Sequence, residues 1–334
     1  MKCKDKSGGK MEKRVDPFTR TPGIAGAAYI DTCIADEIIN SFTSEESSKY
    51  VYKITGIRGS GKSVEYGNVI RALKADKKWL VYPLSAAGDA VKTLISKLSM
   101  ESFIDSYSDE AMLTKMVAEA NKKKYNVLVG VDDISKTSEM IRLLSMIGSM
   151  ILEGMHIYLL VTGLAENIEE FSSEKNLTFF KRADELEIKG LNKYDITAMY
   201  QKLLKIDAVE AKKIEEETKG YAYAYQVLGS LYFGKQKNET LNDIIPEFER
   251  IMFRDSYDLV WKSLSNGEKE VVRCICKTKD GKAEDIKKLM ANAASYSVYR
   301  SRLINKHLVS DEIRGYMKLR LPHFDKFVEI WGED

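Results

Sequence analysis

An eight-residue stretch, Gly56-Ile57-Arg58-Gly59-Ser60-Gly61-Lys62-Ser63, satisfies every fixed position of the phosphate-binding pattern G-x-x-x-x-G-K-[ST]. Glycines at 56, 59 and 61 can take backbone angles closed to other residues, so successive N–H groups can curl around a phosphate. Lys62 brings a point charge to the β- and γ-phosphates, and the Ser63 hydroxyl is of the kind that ligates Mg²⁺. A helix starting near Lys62 adds the positive end of its dipole. The pattern is short enough to arise as a plain Gly/Ser turn, so its surroundings decide. The apolar run Tyr50–Ile54 reads as a strand before it, and Val64–Lys74, with Val64, Val69, Ile70 and Leu73, reads as a helix after it. The expected nucleotide-contacting residues are Gly56, Ile57, Arg58, Gly59, Ser60, Gly61, Lys62, Ser63 and Val64.

Such a loop commits the chain to a sheet whose strands deliver residues to the same edge. Asn126–Asp133 (NVLVGVDD) is an apolar run ending in two carboxylates, as a parallel strand buried on both faces would be. Ligands bind at the carboxyl ends of such strands. Asp132 is therefore the expected Mg²⁺ partner, directly or through water, and Asp133 the group that orients or polarises the attacking water. A helix N-cap or turn at Asp132–Ser135 is the competing reading. Met155–Thr162 (MHIYLLVT) is a further buried strand ending in Thr162-Gly163. The Thr162 hydroxyl either bonds the γ-phosphate or the attacking water, or merely caps the strand. With Trp79–Leu84 and a short last strand begun by Leu186 and Ile188, strand and helix alternate at least four times. That is the pattern of a parallel α/β sheet with right-handed crossovers.

Beyond Leu191 no strand-like run appears for more than a hundred residues, and helices are expected at Lys193–Leu204, Ala208–Lys219, Ala224–Phe233 and Leu241–Arg254. Tyr221, Tyr223, Tyr225 and Tyr232 crowd this part and read as packing residues in preference to a base-stacking platform. The last segment gives helices at Glu268–Lys277 (capped by Ser265), Ala283–Met290 and Ser295–Lys306. Two short strands follow, Leu308–Ser310 and Tyr316–Leu321, with Gly315 in the turn. Three helices and a hairpin describe a winged helix-turn-helix. Between Ser295 and Arg320 there are six basic residues against two acidic ones. Tyr296, Ser297, Arg300, Arg302 and Lys306 are the expected contacts of a recognition helix with double-stranded DNA, and Arg314 that of the wing. A winged helix used for protein contacts is the alternative.

The 334 residues suit two or three domains, and 44% hydrophobic with 31% charged residues excludes general disorder. A net charge of +2 means that any nucleic-acid contact comes from a local patch. No apolar run reaches the roughly 20 residues of a membrane span, and MKCKDKSGGKMEKR lacks a signal-peptide core. Residues 1–14 read as a mobile basic tail. The four scattered cysteines read as reduced thiols in a cytoplasm, without a zinc set.

The order of parts resembles the AAA+ ATPases of the origin-recognition, archaeal initiator type, carried by DPFTRTPGI, GIRGSGKS, VDDIS, LLVTGL, KGYAYAYQVLGSLYF and YRSRLINKHLV…RGYMKLRLPHF. The likeness covers about Asp16 to Phe327. It implies a P-loop core at 15–190, an all-helical lid at 191–262 and a winged-helix domain at 263–334. By this likeness Gly56–Ser63 is Walker A, Asp132 and Asp133 are Walker B, and Thr162 sits at sensor 1. Arg182 resembles the arginine that reaches a neighbouring subunit's nucleotide in a homo-oligomer. Two departures stand out. Walker B in that family ends Asp-Glu, and Asp133 is one methylene shorter; and KGYAYAYQVLG holds no sensor 2 arginine. Both imply slow turnover of ATP to ADP, and a nucleotide-gated switch on DNA more than a motor. The alternative implied is a signalling or defence ATPase whose winged helix binds protein.

Overall fold

The computed structural model describes residues 15–46, 48–86, 88–98, 108–310 and 312–332. The expected tail at 1–14 lies outside them, as does Met100, where the helical pattern that starts at Asp89 is expected to end. The first half alternates helix and strand: α1 (Ile34–Thr43), β1 (Val51–Thr55), α2 (Lys62–Ala75), β2 (Trp79–Ser85), α3 (Ala90–Leu98), α4 (Asp109–Lys122), β3 (Asn126–Asp132), α5 (Ser138–Leu152), β4 (Ile157–Gly163), α6 (Ala165–Ser172), α7 (Thr178–Arg182) and β5 (Asp184–Glu187). The five strands form one parallel sheet in the order β2-β3-β4-β1-β5.

Apolar runs became strands here because helices cover both faces of the sheet, so neighbouring residues bury on opposite sides. Val127, Val129, Val131, Leu159 and Val161 pack toward α3, α4 and α5, while Tyr52, Ile54, Leu128, Tyr158 and Leu160 pack toward α1 and α2. The strand order has one consequence for everything below. Because β4 lies between β1 and β3, Thr162 at its end stands between the phosphate loop and Asp132.

The run Tyr29–Phe42 reads as helical, yet the helix begins only at Ile34, after Cys33 at φ 62°. Side chains hold the residues before it: the Asp31 carboxylate accepts from Cys33 N–H at 2.8 Å, and the Tyr29 hydroxyl donates to Glu65 at 3.0 Å.

The second half is helical: α8 (Lys193–Leu204), α9 (Ala208–Glu216), α10 (Ala222–Gly234) and α11 (Leu241–Met252), which runs through a π-helical turn at Phe253–Tyr257 straight into α12 (Asp258–Lys262). Then come α13 (Asn266–Lys277), α14 (Ala283–Leu289), α15 (Tyr296–Asn305), an antiparallel pair β6 (Val309–Ser310) and β7 (Lys318–Leu319), and α16 (Phe324–Trp331). Ser265 caps α13 as expected, its N–H donating to Glu268 at 2.7 Å in a capping box. α16 was not anticipated. Its Phe324 and Phe327 pack on Tyr257 and Trp261, with ring centroids 5.1 to 6.4 Å apart. Through these rings α8–α16 share a single apolar core, which also takes in Phe18, Ala28 and Ile30 from the N-terminal lead-in.

Candidate nucleotide site

The phosphate loop links the end of β1 to the start of α2, and it is closed by its own lysine. Lys62 Nζ donates to the carbonyl oxygens of Gly56 and Ile57 at 2.9 and 2.8 Å. Burial lowers the Lys62 pKa to about 8; Arg58 adds to the fall, and Asp133 and Asp132 oppose it. Gly59, at φ 76°, sits where a side chain would be strained, and the lid lies directly on it.

The loop opens onto a cavity of about 560 Å³. Arg58, Gly59, Ser60, Gly61, Lys62, Ser63 and Val64 all border it. Gly56 and Ile57 do not; their carbonyls hold Lys62 from behind. Asp132 and Asp133 face the same cavity from the end of β3. The Ser63 hydroxyl and the Asp132 carboxylate give an all-oxygen pair on its wall, which fits Mg²⁺ brought in with phosphate oxygens.

Thr162 also borders the cavity, and its hydroxyl is held by the carboxylate pair: it donates to Asp132 Oδ1 at 2.5 Å and accepts from Asp133 N–H at 2.8 Å. The Thr162 carbonyl also accepts from Ile134 N–H at 2.8 Å. Thr162 therefore fixes the carboxylate pair at the cavity's edge. Asp133 needs such support, because it adopts φ 54°, a left-handed conformation costly for a residue with a Cβ.

The opposite wall comes from two segments whose role the sequence did not disclose. Thr19–Gly26 of the lead-in borders the cavity, tied down by Thr19 N–H to Gln226 Oε1 (2.9 Å) and by Tyr225 Oη to the Ala28 carbonyl (3.0 Å). Arg20 of this segment puts a cation on a wall to which α10 contributes none; its signal was the DPFTRTPGI run. The start of α10 then closes on the loop. Tyr221 Oη donates to the Arg58 carbonyl at 2.6 Å and lies 2.9 Å from Ser256 Oγ. Tyr223 N–H donates to the Gly59 carbonyl at 3.1 Å, and its hydroxyl donates to Asp255 at 3.1 Å. Burial, aided by Asp255, raises the Tyr223 pKa to about 12. Two of the four crowded tyrosines thus touch the phosphate loop while packing in the lid.

Arg182 ends α7, is exposed, and lies outside the cavity wall. In the tail, Ser297, Arg302 and Arg314 are exposed and Arg300 is half-buried. Tyr296 and Lys306 correct the reading of α15. Tyr296 is buried with its hydroxyl on Met317 sulfur, because its side of the helix faces the hairpin. Lys306 turns inward, donating to the Ser263 carbonyl at 3.0 Å, with Glu268 3.6 Å away. Arg320 is likewise spent on Glu187 of β5, at 3.0 Å.

A family described as a domain of unknown function (DUF8462) matches residues 254–328, beginning inside the π-helical turn. No curated protein matches the chain. Among solved structures the chain is similar to the Aeropyrum pernix ORC2 protein in its ADPNP–ADP complexes, with 14% identity over 96% of this chain and 95% of that one, and a TM-score of 0.56. The chain has an origin-recognition-type AAA+ fold. Cdc6p from Pyrobaculum aerophilum is also similar, at 12% identity over 89% of this chain and 90% of that one, with a TM-score of 0.47. The cavity that the phosphate loop, Asp132 and Asp133 border is closed by Tyr221, Ala222 and Tyr223 at the start of α10. No helix among the described residues is long and apolar enough to cross a membrane.

Proposed function

We propose that this chain binds ATP with Mg²⁺, hydrolyses it slowly to ADP, and acts as a nucleotide-dependent switch on double-stranded DNA. One observation carries the reading: the phosphate loop, a buried lysine and two carboxylates border a single cavity of nucleotide size, and lid residues are bonded to that same loop. The loop amides and Lys62 meet charge developing on the transferred phosphoryl group. Ser63 and Asp132 would hold Mg²⁺, which would supply positive charge to the phosphate oxygens. Asp133 places the attacking water. A short Asp133 and the lack of an arginine within KGYAYAYQVLG keep turnover low, and an exposed Arg182 suits a contribution in trans from a second copy.

Thr162 acts in this scheme as a positioning residue, and its variants separate that role from binding. Thr162→Val removes both side-chain bonds without changing shape. Hydrolysis should fall roughly a hundredfold, the scale of a misplacement near 1 Å. ATP affinity should stay within about threefold, and Thr162→Ser should restore turnover. Equal loss of affinity and rate in the valine variant would refute the positioning role.

DNA contact rests on Ser297, Arg300, Arg302 and Arg314. In fluorescence anisotropy, Arg302→Ala/Arg314→Ala should weaken duplex binding and reduce the slope of log affinity against log salt by about two. The protein-binding alternative is favoured by the inward turn of Lys306 and Arg320, which thins the outward basic surface. Absence of any duplex binding by the unmodified chain at low salt would leave that alternative standing.

A further inference from the structure

Behind the phosphate loop lies a second cleft, of about 320 Å³, on which three parts of the chain converge. Ser60 reaches it from the loop, Lys189 from just past β5, Lys219 from just before α10, and His307, Lys318 and Arg320 from the tail. Two buried hydrogen-bonding atoms of these residues have no partner among the described residues: the Ser60 hydroxyl, on a residue 6% exposed, and His307 Nε2. Buried polar atoms are rarely left so in a folded chain. Ser60 borders both cavities, whereas His307 borders this one alone.

The geometry of His307 defines what its free edge offers. The residue takes φ 56° in the turn after α15, which brings Nδ1 to 2.9 Å from Glu187. Facing a carboxylate, Nδ1 carries the proton, so Nε2 presents a lone pair. Burial, only partly offset by Glu187, also holds the ring's pKa below its ordinary value. Charge around the cleft is one-sided. Lys189, Lys219 and Lys318 have no acidic partner within ion-pair distance among the described residues. Glu187 is committed to Arg320 and His307, which leaves Glu312 as the one acid on the wall among the described residues.

We propose that this cleft is a second ligand site, taking a small phosphate-bearing anion. Lys189, Lys219 and Lys318 supply the charge, the Ser60 hydroxyl donates to a phosphate oxygen, and His307 Nε2 accepts the proton of a monohydrogen phosphate group. The volume is at the small end for ligand pockets, room for one phosphorylated small molecule and no more. Since the walls come from core, lid and tail, an occupant bridges all three. It would fasten the tail in the docked arrangement whether or not the first cavity is filled.

The chain has three histidines, so imidazole signals in a heteronuclear NMR spectrum are few. Inorganic phosphate is titrated into the Lys62→Ala chain, which weakens the competing site, with the His307 signal assigned by its loss in His307→Gln. The signal should shift saturably. Adding Lys219→Ala/Lys318→Ala should raise the apparent Kd at least about tenfold, the change expected from losing one charged hydrogen bond. An unmoved His307 signal overturns the proposal, and so does an unchanged Kd in the charge-deleted variant. A shift produced by a short DNA duplex and not by phosphate also overturns it, assigning the cleft to a DNA footprint. Should Lys62→Ala fail to fold, the same titration of the unmodified chain reads the same cleft, because His307 does not border the first cavity. Nothing here depends on ATP turnover, so the proposal stands or falls apart from the function proposed above.

Discussion

Lys62→Ala should weaken ATP binding by at least about a hundredfold, the loss of two charged hydrogen bonds to phosphate at roughly 1.5–3 kcal/mol each. The loss is large because the ammonium is already stripped of water. It is buried among the carbonyls of Gly56 and Ile57, so binding a nucleotide adds phosphate contacts with little further desolvation. The same burial gives the interaction a pH signature. With its pKa lowered to about 8, Lys62 is charged in the free chain below that pH and increasingly neutral above it. Bound phosphates favour the charged form, so nucleotide binding above pH 8 takes up a proton, and affinity should fall toward about tenfold per pH unit. Calorimetry from pH 7 to 9.5, in buffers of differing ionisation enthalpy, reads both effects. Lys62→Ala should bind weakly at every pH and lose the slope. Unchanged ATP affinity in that variant would remove Lys62 from the site.

Gly59→Ala should disable the site by a different route. A Cβ at Gly59 would overlap the Tyr221 hydroxyl oxygen and lie 2.9 Å from Tyr223 Cβ, at a residue already at φ 76°. The left-handed backbone alone costs an alanine about 1–2 kcal/mol, before any steric displacement. Relief of the overlap requires the start of α10 to lift off the loop, breaking the bonds from Tyr221 to Arg58 and from Tyr223 N–H to Gly59. A combined loss of about 3 kcal/mol in stability is expected, seen as a lower Tm, with ATP affinity reduced more than tenfold. Amide exchange at Tyr223 should speed up selectively. A variant with wild-type Tm and wild-type exchange at Tyr223 would show that the lid does not rest on the loop in solution.

The strands and the loop were readable because their signal is local. Val127–Val131 and Ile157–Val161 are apolar without a break, since both faces of the sheet are covered, and glycine spacing around a phosphate is written in eight consecutive residues. What escaped was set by partners distant in sequence. Thr162 could be placed at a strand end, but only the position of β4 between β1 and β3 turns its hydroxyl onto Asp132. Tyr296 and Lys306 carry the chemistry of a DNA-facing helix. The hairpin and the cap of α13 claim them instead. The lead-in is punctuated by Pro17, Pro22 and Gly23, and its role as a cavity wall rests on contacts with α10, some two hundred residues later.

The passage from α11 through the π-helical turn into α12 has a mechanical consequence. Leu241 to Lys262 is an unbroken helical rod that ends three residues short of α13, and the wide turn at Phe253–Tyr257 is where it brushes the phosphate loop, through Ser256 and Tyr221. A rod touched near its middle works as a lever. The arm on the α11 side is about 18 Å long, so a tilt of about 10° at the turn moves its far end by roughly 3 Å. Displacements of that size repack an interface without unfolding anything. Because α8–α16 also share one apolar core, lid and tail should survive digestion by a linker-cutting protease as one fragment.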